Sequence, residues 1–136
     1  MKIFYQTQAT ATGGRTGRTA LDDGSLAFDL ALPNSGQQGA NPEQLFAMGY
    51  AACFDSALNL TAQQMKLPLS HSQTSVQIGI GQVLGGAYQL TAKISVTTQG
   101  LSQEQAESLV EKAHQVCPYS NAVRGNIEVE LVTLAK

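Results

Sequence analysis

The stretch from Asn41 to Phe54, NPEQLFAMGYAACF, constrains the fold of this chain more than any other. Asn41 is a favoured N-cap, Pro42 suits the first helical position, and Gln44 stands three residues after the cap, where a capping box needs it. A helix therefore starts here. From this point to Leu60 almost every residue is apolar or small, so the spacing predicts a central, buried helix with little surface left for water. Pro68 stops it.

Cys53 shares a face of that helix with Phe46, Gly49, Tyr50, Ala57 and Leu60 at offsets of three and four residues. The spacing alone leaves two readings open. One is an inert core thiol, because apolar surroundings raise a cysteine pKa and free cysteine is among the most buried residue types. The other is a nucleophile approached by an apolar substrate resting against Phe46 and Tyr50.

The 136 residues are the size of one ordinary domain, and a single domain over residues 1–136 is expected. Charged residues make up only 13% of the chain, which leaves room for a sizeable surface covered by a partner. Net charge is −2 and the eight basic residues are scattered, so no basic stripe exists for phosphates and nucleic-acid binding is not expected. Gln6 and Gln8 break the opening MKIFYQTQAT, and no segment has the length of a membrane span. A cytoplasmic protein that does not bind membranes is expected. The two cysteines, Cys53 and Cys117, form neither a CxxC pair nor a metal knuckle.

Elsewhere the pattern is mixed. Lys2 to Thr12 alternates as a strand with one wet face, and Leu26, Phe28, Leu30 and Leu32 alternate as another that Pro33 ends. Between them, Gly13-Gly14-Arg15-Thr16-Gly17-Arg18 holds three glycines but leads into strand-like segments instead of a helix, which excludes a dinucleotide loop. Val76 to Ile80 and Tyr88 to Val96 alternate on either side of Gly85-Gly86 and predict a hairpin. Ser102 and Gln105 make a second capping box ahead of an amphipathic helix with Ala106, Leu109, Val110 and Ala113 on its apolar stripe. Pro118 pushes Cys117 towards extended backbone at the end of that helix. Ile127, Val129 and Leu131 then predict a closing strand. This order of elements reads as α+β.

Arg15, Glu43 and His114 are the remaining candidates for chemistry, and each has an ordinary explanation. Glu43 complements a helix dipole, Arg15 is a solvated loop charge, and His114 is a residue of a helix end. His114 is read as structural or surface, and Arg18 as a weaker substitute for Arg15. Together, two of them frame a sharper hypothesis. A guanidinium beside a thiol lowers its pKa towards neutrality, and a carboxylate that holds the guanidinium in a bidentate pair orients it. The order would be Glu43, Arg15, Cys53.

These residues carry a family resemblance. TATGGR at Thr10 to Arg15, GANPEQLFAMGYAACF at Gly39 to Phe54 and VCPYSNAVRGNIEV at Val116 to Val129 closely resemble the organic hydroperoxide resistance proteins of the OsmC/Ohr superfamily. The resemblance spans essentially the whole chain. It implies an OsmC/Ohr-like α+β fold of antiparallel sheets around a buried central helix, assembled as an intertwined homodimer. It also implies a thiol peroxidase in which Cys53 is peroxidatic, Cys117 resolving, and Arg15 and Glu43 the activating pair. The implied substrates are alkyl or fatty-acid hydroperoxides, and the implied reductant is a lipoylated protein or dihydrolipoamide. No metal and no bound cofactor is expected.

Helix geometry adds a constraint on that site. Glu43 and Cys53 are ten residues apart, about 15 Å along one continuous helix, beyond the reach of one shared arginine. Two helices are then needed, packed antiparallel, with Arg15 and Glu43 of one chain serving Cys53 of the other. The competing reading is a non-enzymatic dimeric module that binds apolar ligands and keeps both cysteines as structural residues. A general thiol-disulfide exchanger is disfavoured by the lack of CxxC.

Overall fold

A computed structural model describes residues 1–136 and divides into two compact units, Met1–Leu45 and Phe46–Lys136. The first is built on a three-stranded antiparallel sheet of β1 (Ala9–Thr12), β2 (Arg18–Leu21) and β3 (Ala27–Asp29), in that order. The expected first strand is thus shorter than its alternation. Only its last four residues find a partner, Ala9 opposite Leu21 through Thr12 opposite Arg18. Residues 1–8 stay irregular, and Ile3, Phe4 and Tyr5 are 56%, 91% and 79% exposed. The second strand is likewise cut short, because Leu30 leaves β3 to form a lone parallel bridge with Ala40.

The turn from β1 to β2 is a single 3-10 turn, Gly14–Thr16, and its glycines are required by geometry. Gly13 and Gly14 take φ of 78° and 59°, where side chains are disfavoured. A Cβ on Gly17 would sit 1.8 Å from the Thr12 carbonyl oxygen.

Helix α1 runs from Pro42 to Gln64 without a break. Its capping box forms as the sequence predicts: the Gln44 amide donates to Asn41 Oδ1 at 2.8 Å, and the Asn41 amide to Gln44 Oε1 at 3.0 Å. At the other end Lys66 adopts φ 55°, with its amide bonded to the Gln63 carbonyl and that of Leu67 to Ala62. That is a Schellman closure with lysine where glycine is usual. Tyr50, Phe54, Ala57, Leu58, Thr61 and Ala62 are buried. The helix is nevertheless less enclosed than expected, since Met48, Ala52, Ser56 and Leu60 form an exposed row at four-residue spacing.

The second unit holds a sheet of β4 (His71–Gln82), β5 (Tyr88–Gln99) and β6 (Val129–Ala135), in that order. The hairpin of β4 and β5 pairs His71 with Gln99 and Gln82 with Tyr88, with Gly85 and Gly86 at positive φ in its loop. The expectation of antiparallel sheets fails at β6, which lies parallel to β5. The reason is the connection: α2 (Gln103–Val116) and an unanticipated short α3 (Pro118–Val123) carry the chain back before β6 starts, as parallel pairing requires. Ile94 and Val96 of β5, Leu109 and Val110 of α2 and Tyr50, Phe54 and Leu58 of α1 form the fully buried centre.

The α2 capping box is complete, with Ser102 and Gln105 exchanging hydrogen bonds of 3.1 and 3.0 Å. At the first residue of α2, the Gln103 side chain donates to the Thr133 carbonyl at 2.8 Å and accepts from the Ala135 amide at 2.9 Å. It thereby occupies part of the outer edge of β6. No helix is long and apolar enough to cross a membrane.

Candidate active site

Each unit brings together two of the four residues singled out from the sequence. In the first, Arg15 leaves the glycine turn and meets Glu43 at the start of α1. Its Nη1 and Nη2 donate to the two carboxylate oxygens at 2.8 and 2.7 Å, the bidentate fork that fixes a guanidinium in plane as well as position. Those hydrogen bonds from Arg15 hold the Glu43 carboxyl below its ordinary range, against the opposing pull of burial. Arg18, the weaker alternative, pairs instead with Asp29 across the strand at 2.8 Å.

In the second unit, Cys53 and Cys117 come together although 64 positions separate them. Their Sγ atoms are 3.7 Å apart and both are free thiols. Helix α1 carries Cys53, half-buried, while Cys117 is fully buried at the joint of α2 and α3. The joint is what places it: Cys117 has φ −62° and ψ 123°, the extended backbone that a following proline enforces. Both sulfurs therefore sit on fixed elements.

Within the single chain the surroundings of Cys53 favour the neutral thiol. Burial pushes Cys53 up, the Tyr119 backbone amide lowers it, and the neighbouring Cys117 raises it further. A thiolate here needs positive charge brought to it.

An open apolar groove of about 420 Å³ borders Cys53, lined by Ser56, Ala57, Leu60, Val116 and Pro118. Those walls differ from the expected ones. Tyr50 is wholly buried and offers no surface to a ligand. It packs edge-on or tilted in a trio with Phe46 and Tyr119, with ring centres 5.7 to 6.0 Å apart.

Sequence reasoning missed what the Tyr50 hydroxyl does. It lies 2.7 Å from Ser120 Oγ, which in turn is 2.9 Å from His114 Nδ1. His114, read as structural or surface, is half-buried against Phe54, and burial first and then the Arg124 charge hold its pKa below the ordinary imidazole value. A signal was present in the sequence: Tyr50 precedes Cys53 by three residues, while His114 and Ser120 flank Cys117 at three on either side. Close by, the Asp55 carboxylate accepts from Ser72 at 3.0 Å and Thr74 at 2.8 Å, tying α1 to β4. No group of three or more His, Cys, Asp or Glu side chains is placed to hold a metal ion.

Comparison with known proteins gives this arrangement its context. A family model described as OsmC-like protein matches residues 34–132. An organic hydroperoxide resistance protein of Xanthomonas axonopodis pv. citri is 47% identical over 98% of this chain and 96% of its own length. The crystal structure of an organic hydroperoxide resistance protein from Elizabethkingia anophelis superposes with a TM-score of 0.95 at 46% identity, covering 100% of both chains. A similar structure, described as a putative organic hydroperoxide resistance protein from Vibrio cholerae with captopril in one of its active sites, has a TM-score of 0.92 at 43% identity, over 98% of this chain and 94% of that one. With two nearby thiols, a guanidinium held by a carboxylate, and relatives matched along nearly their whole length, the chain belongs to the OsmC-like family, among the organic hydroperoxide resistance proteins.

Proposed function

We propose that this chain is a thiol-dependent peroxidase that reduces organic hydroperoxides to alcohols, acting as one OsmC/Ohr-like domain. The single observation that carries the reading is the pair of free thiols 3.7 Å apart, one of them opening on an apolar groove. The Cys53 thiolate attacks the distal peroxide oxygen, the alcohol leaves, and a sulfenic acid remains. Cys117 condenses with that sulfenic acid and releases water, forming a disulfide that protects Cys53 from further oxidation. The groove suits an alkyl or fatty-acid chain, and a dihydrolipoyl group, itself an aliphatic dithiol, suits the return to the reduced state. A cytoplasmic setting, where thiols stay reduced, fits this chemistry.

Arg15 and Glu43 are the activating pair. The positive charge that Cys53 lacks in its own unit comes from Arg15, oriented by Glu43 through their double hydrogen bond. Because α1 is continuous, Glu43 and Cys53 are separated by about 15 Å of helical rise. We therefore assign Arg15 and Glu43 of one chain to Cys53 of the other in an intertwined homodimer. Two features support the dimer: the exposed apolar residues Ile3, Phe4, Tyr5, Met48 and Leu60, and the Vibrio cholerae relative's description as having more than one active site.

Stopped-flow mixing with an alkyl hydroperoxide and with hydrogen peroxide, using dihydrolipoamide and thioredoxin as competing reductants, tests the reading. Faster oxidation by the alkyl hydroperoxide and turnover with dihydrolipoamide are expected, with a Cys53–Cys117 linkage in peptide maps after one equivalent of peroxide. Failure to consume the alkyl hydroperoxide would end the proposal.

A further inference from the structure

Disulfide closure asks the two sulfurs to come from 3.7 Å to about 2 Å, and they rest just outside the separation of about 3–3.5 Å at which a held pair is poised to react. Different bodies carry them: Cys53 lies on α1 and Cys117 at the joint of α2 and α3. Small changes in how these bodies seat on each other therefore change the attack. Apolar packing holds them together, since Tyr50, Phe54, Leu109, Ala113 and Cys117 share one buried cluster. Burial of that kind has no direction, however, and does not by itself fix register.

Hydrogen bonds do have direction, and a buried pair of them spans the same bodies. The Tyr50 hydroxyl lies 2.7 Å from Ser120 Oγ, and Ser120 Oγ lies 2.9 Å from His114 Nδ1, so one buried oxygen joins α1, α3 and α2. Each member stands about one helical turn from a sulfur: Tyr50 three residues before Cys53, His114 three before Cys117, and Ser120 three after it. The seat is also close. A Cβ on Gly49 would meet the Tyr119 hydroxyl oxygen at 2.9 Å, so the ring next to Ser120 rests directly on the α1 backbone.

We infer that Tyr50, Ser120 and His114 are positioning residues whose hydrogen bonds hold the joint carrying Cys117 in register with Cys53 and so set the rate of disulfide closure. With Tyr50 donating to Ser120, and Ser120 donating to the bare Nδ1 of a neutral imidazole, every proton of the chain has an acceptor. Burial and the Arg124 charge favour that neutral ring. Removal of the middle hydroxyl leaves the buried Tyr50 hydroxyl without its partner, and relief comes from a shift of α3 on α1. The three act through the seating of the helices, not on the reacting atoms.

This deepens the peroxidase reading and rests on it for its place in turnover, but its test needs no peroxide. One equivalent of Ellman's reagent caps the half-buried Cys53 as a mixed disulfide and releases one nitrothiobenzoate. The Cys117 sulfur then attacks the Cys53 sulfur, its proton goes to the buffer, and the second nitrothiobenzoate leaves as the thiolate. In Ser120→Ala and Tyr50→Phe the second release is expected to slow by about 10- to 100-fold, with the first unchanged. The slowing should be the same factor from about pH 7 to about pH 9, because displaced sulfurs react more slowly at any degree of thiol ionisation. The double variant should be no slower than Ser120→Ala, since both substitutions break one bond chain. His114→Asn, whose amide oxygen falls near the place of Nδ1, should close faster than His114→Leu.

Second release within about twofold of the wild type in Ser120→Ala and Tyr50→Phe would overturn the inference. So would a slowing that fades as pH rises, which marks a change in thiol acidity, or a His114→Asn variant no faster than His114→Leu. Tyr50→Phe keeps the ring in its place among Phe46 and Tyr119 and decides the matter if Ser120→Ala does not fold. A protein whose closure depends on the chain in this way, yet leaves alkyl hydroperoxide untouched, would keep the inference about register and remove the peroxidase reading.

Discussion

Arg15 and Glu43 show how two residues with ordinary explanations become informative once their atoms are placed. The guanidinium is 43% exposed and the carboxylate 14%, so solvent screening keeps the pair's contribution to stability below about 1 kcal/mol. Its value is orientation. Replacing Arg15 with Ala should slow the reaction of Cys53 with an alkyl hydroperoxide at neutral pH by about tenfold or more, and shift its pH profile upward by about one unit, as read by stopped flow. Glu43 has a lowered pKa in the folded chain, so the pair's stabilisation is present above the unfolded carboxylate value and is lost as pH falls through the lowered one. Glu43→Gln should therefore remove part of the acid limb of stability, seen as a flatter dependence of the urea midpoint on pH below about pH 4.5. The bidentate partner was legible in the sequence because helix N-termini favour acids and glycine turns expose arginines. The Tyr50–Ser120–His114 chain was not, because its members join three separate helices, and no periodicity encodes which hydroxyl faces which ring.

Among the elements, those specified by local chemistry came out as read and those specified by tertiary pairing did not. Both capping boxes formed, since each needs only residues three apart. Ser102→Ala should cost about 1 kcal/mol in urea unfolding. The strand predicted over Lys2 to Thr12 shrank to four residues, because alternation states a preference and pairing needs a neighbour. Strand β6 was visible as an element, but its direction is decided by the α2–α3 connection, and α3 itself is only six residues long. The turn carrying Arg15 is the most exacting piece. Gly17→Ala would force a Cβ to within 1.8 Å of a backbone oxygen that cannot yield, so a loss of about 2–3 kcal/mol is expected, with weaker Arg15 function as a second readout. Conversely, Lys66→Gly should add about 0.5–1 kcal/mol by relieving a positive φ at the end of α1.

For the whole molecule, the proposed dimer has a direct check in the opening segment. Ile3, Phe4 and Tyr5 are largely exposed in the single chain, so removal of residues 1–8 should convert a dimer into a monomer in sedimentation velocity and abolish peroxidase turnover with it. A full-length chain that sediments as an active monomer would overturn the assembly. Association of this kind must stay selective, and Gln103 bears on that. Its amide meets the Thr133 carbonyl and the Ala135 amide, the very groups through which a stray strand would latch onto β6. One side chain thus imitates the missing neighbour and blunts the flank on which fibrous growth would be seeded, so concentrated protein should stay dispersed where a Gln103→Ala variant clouds.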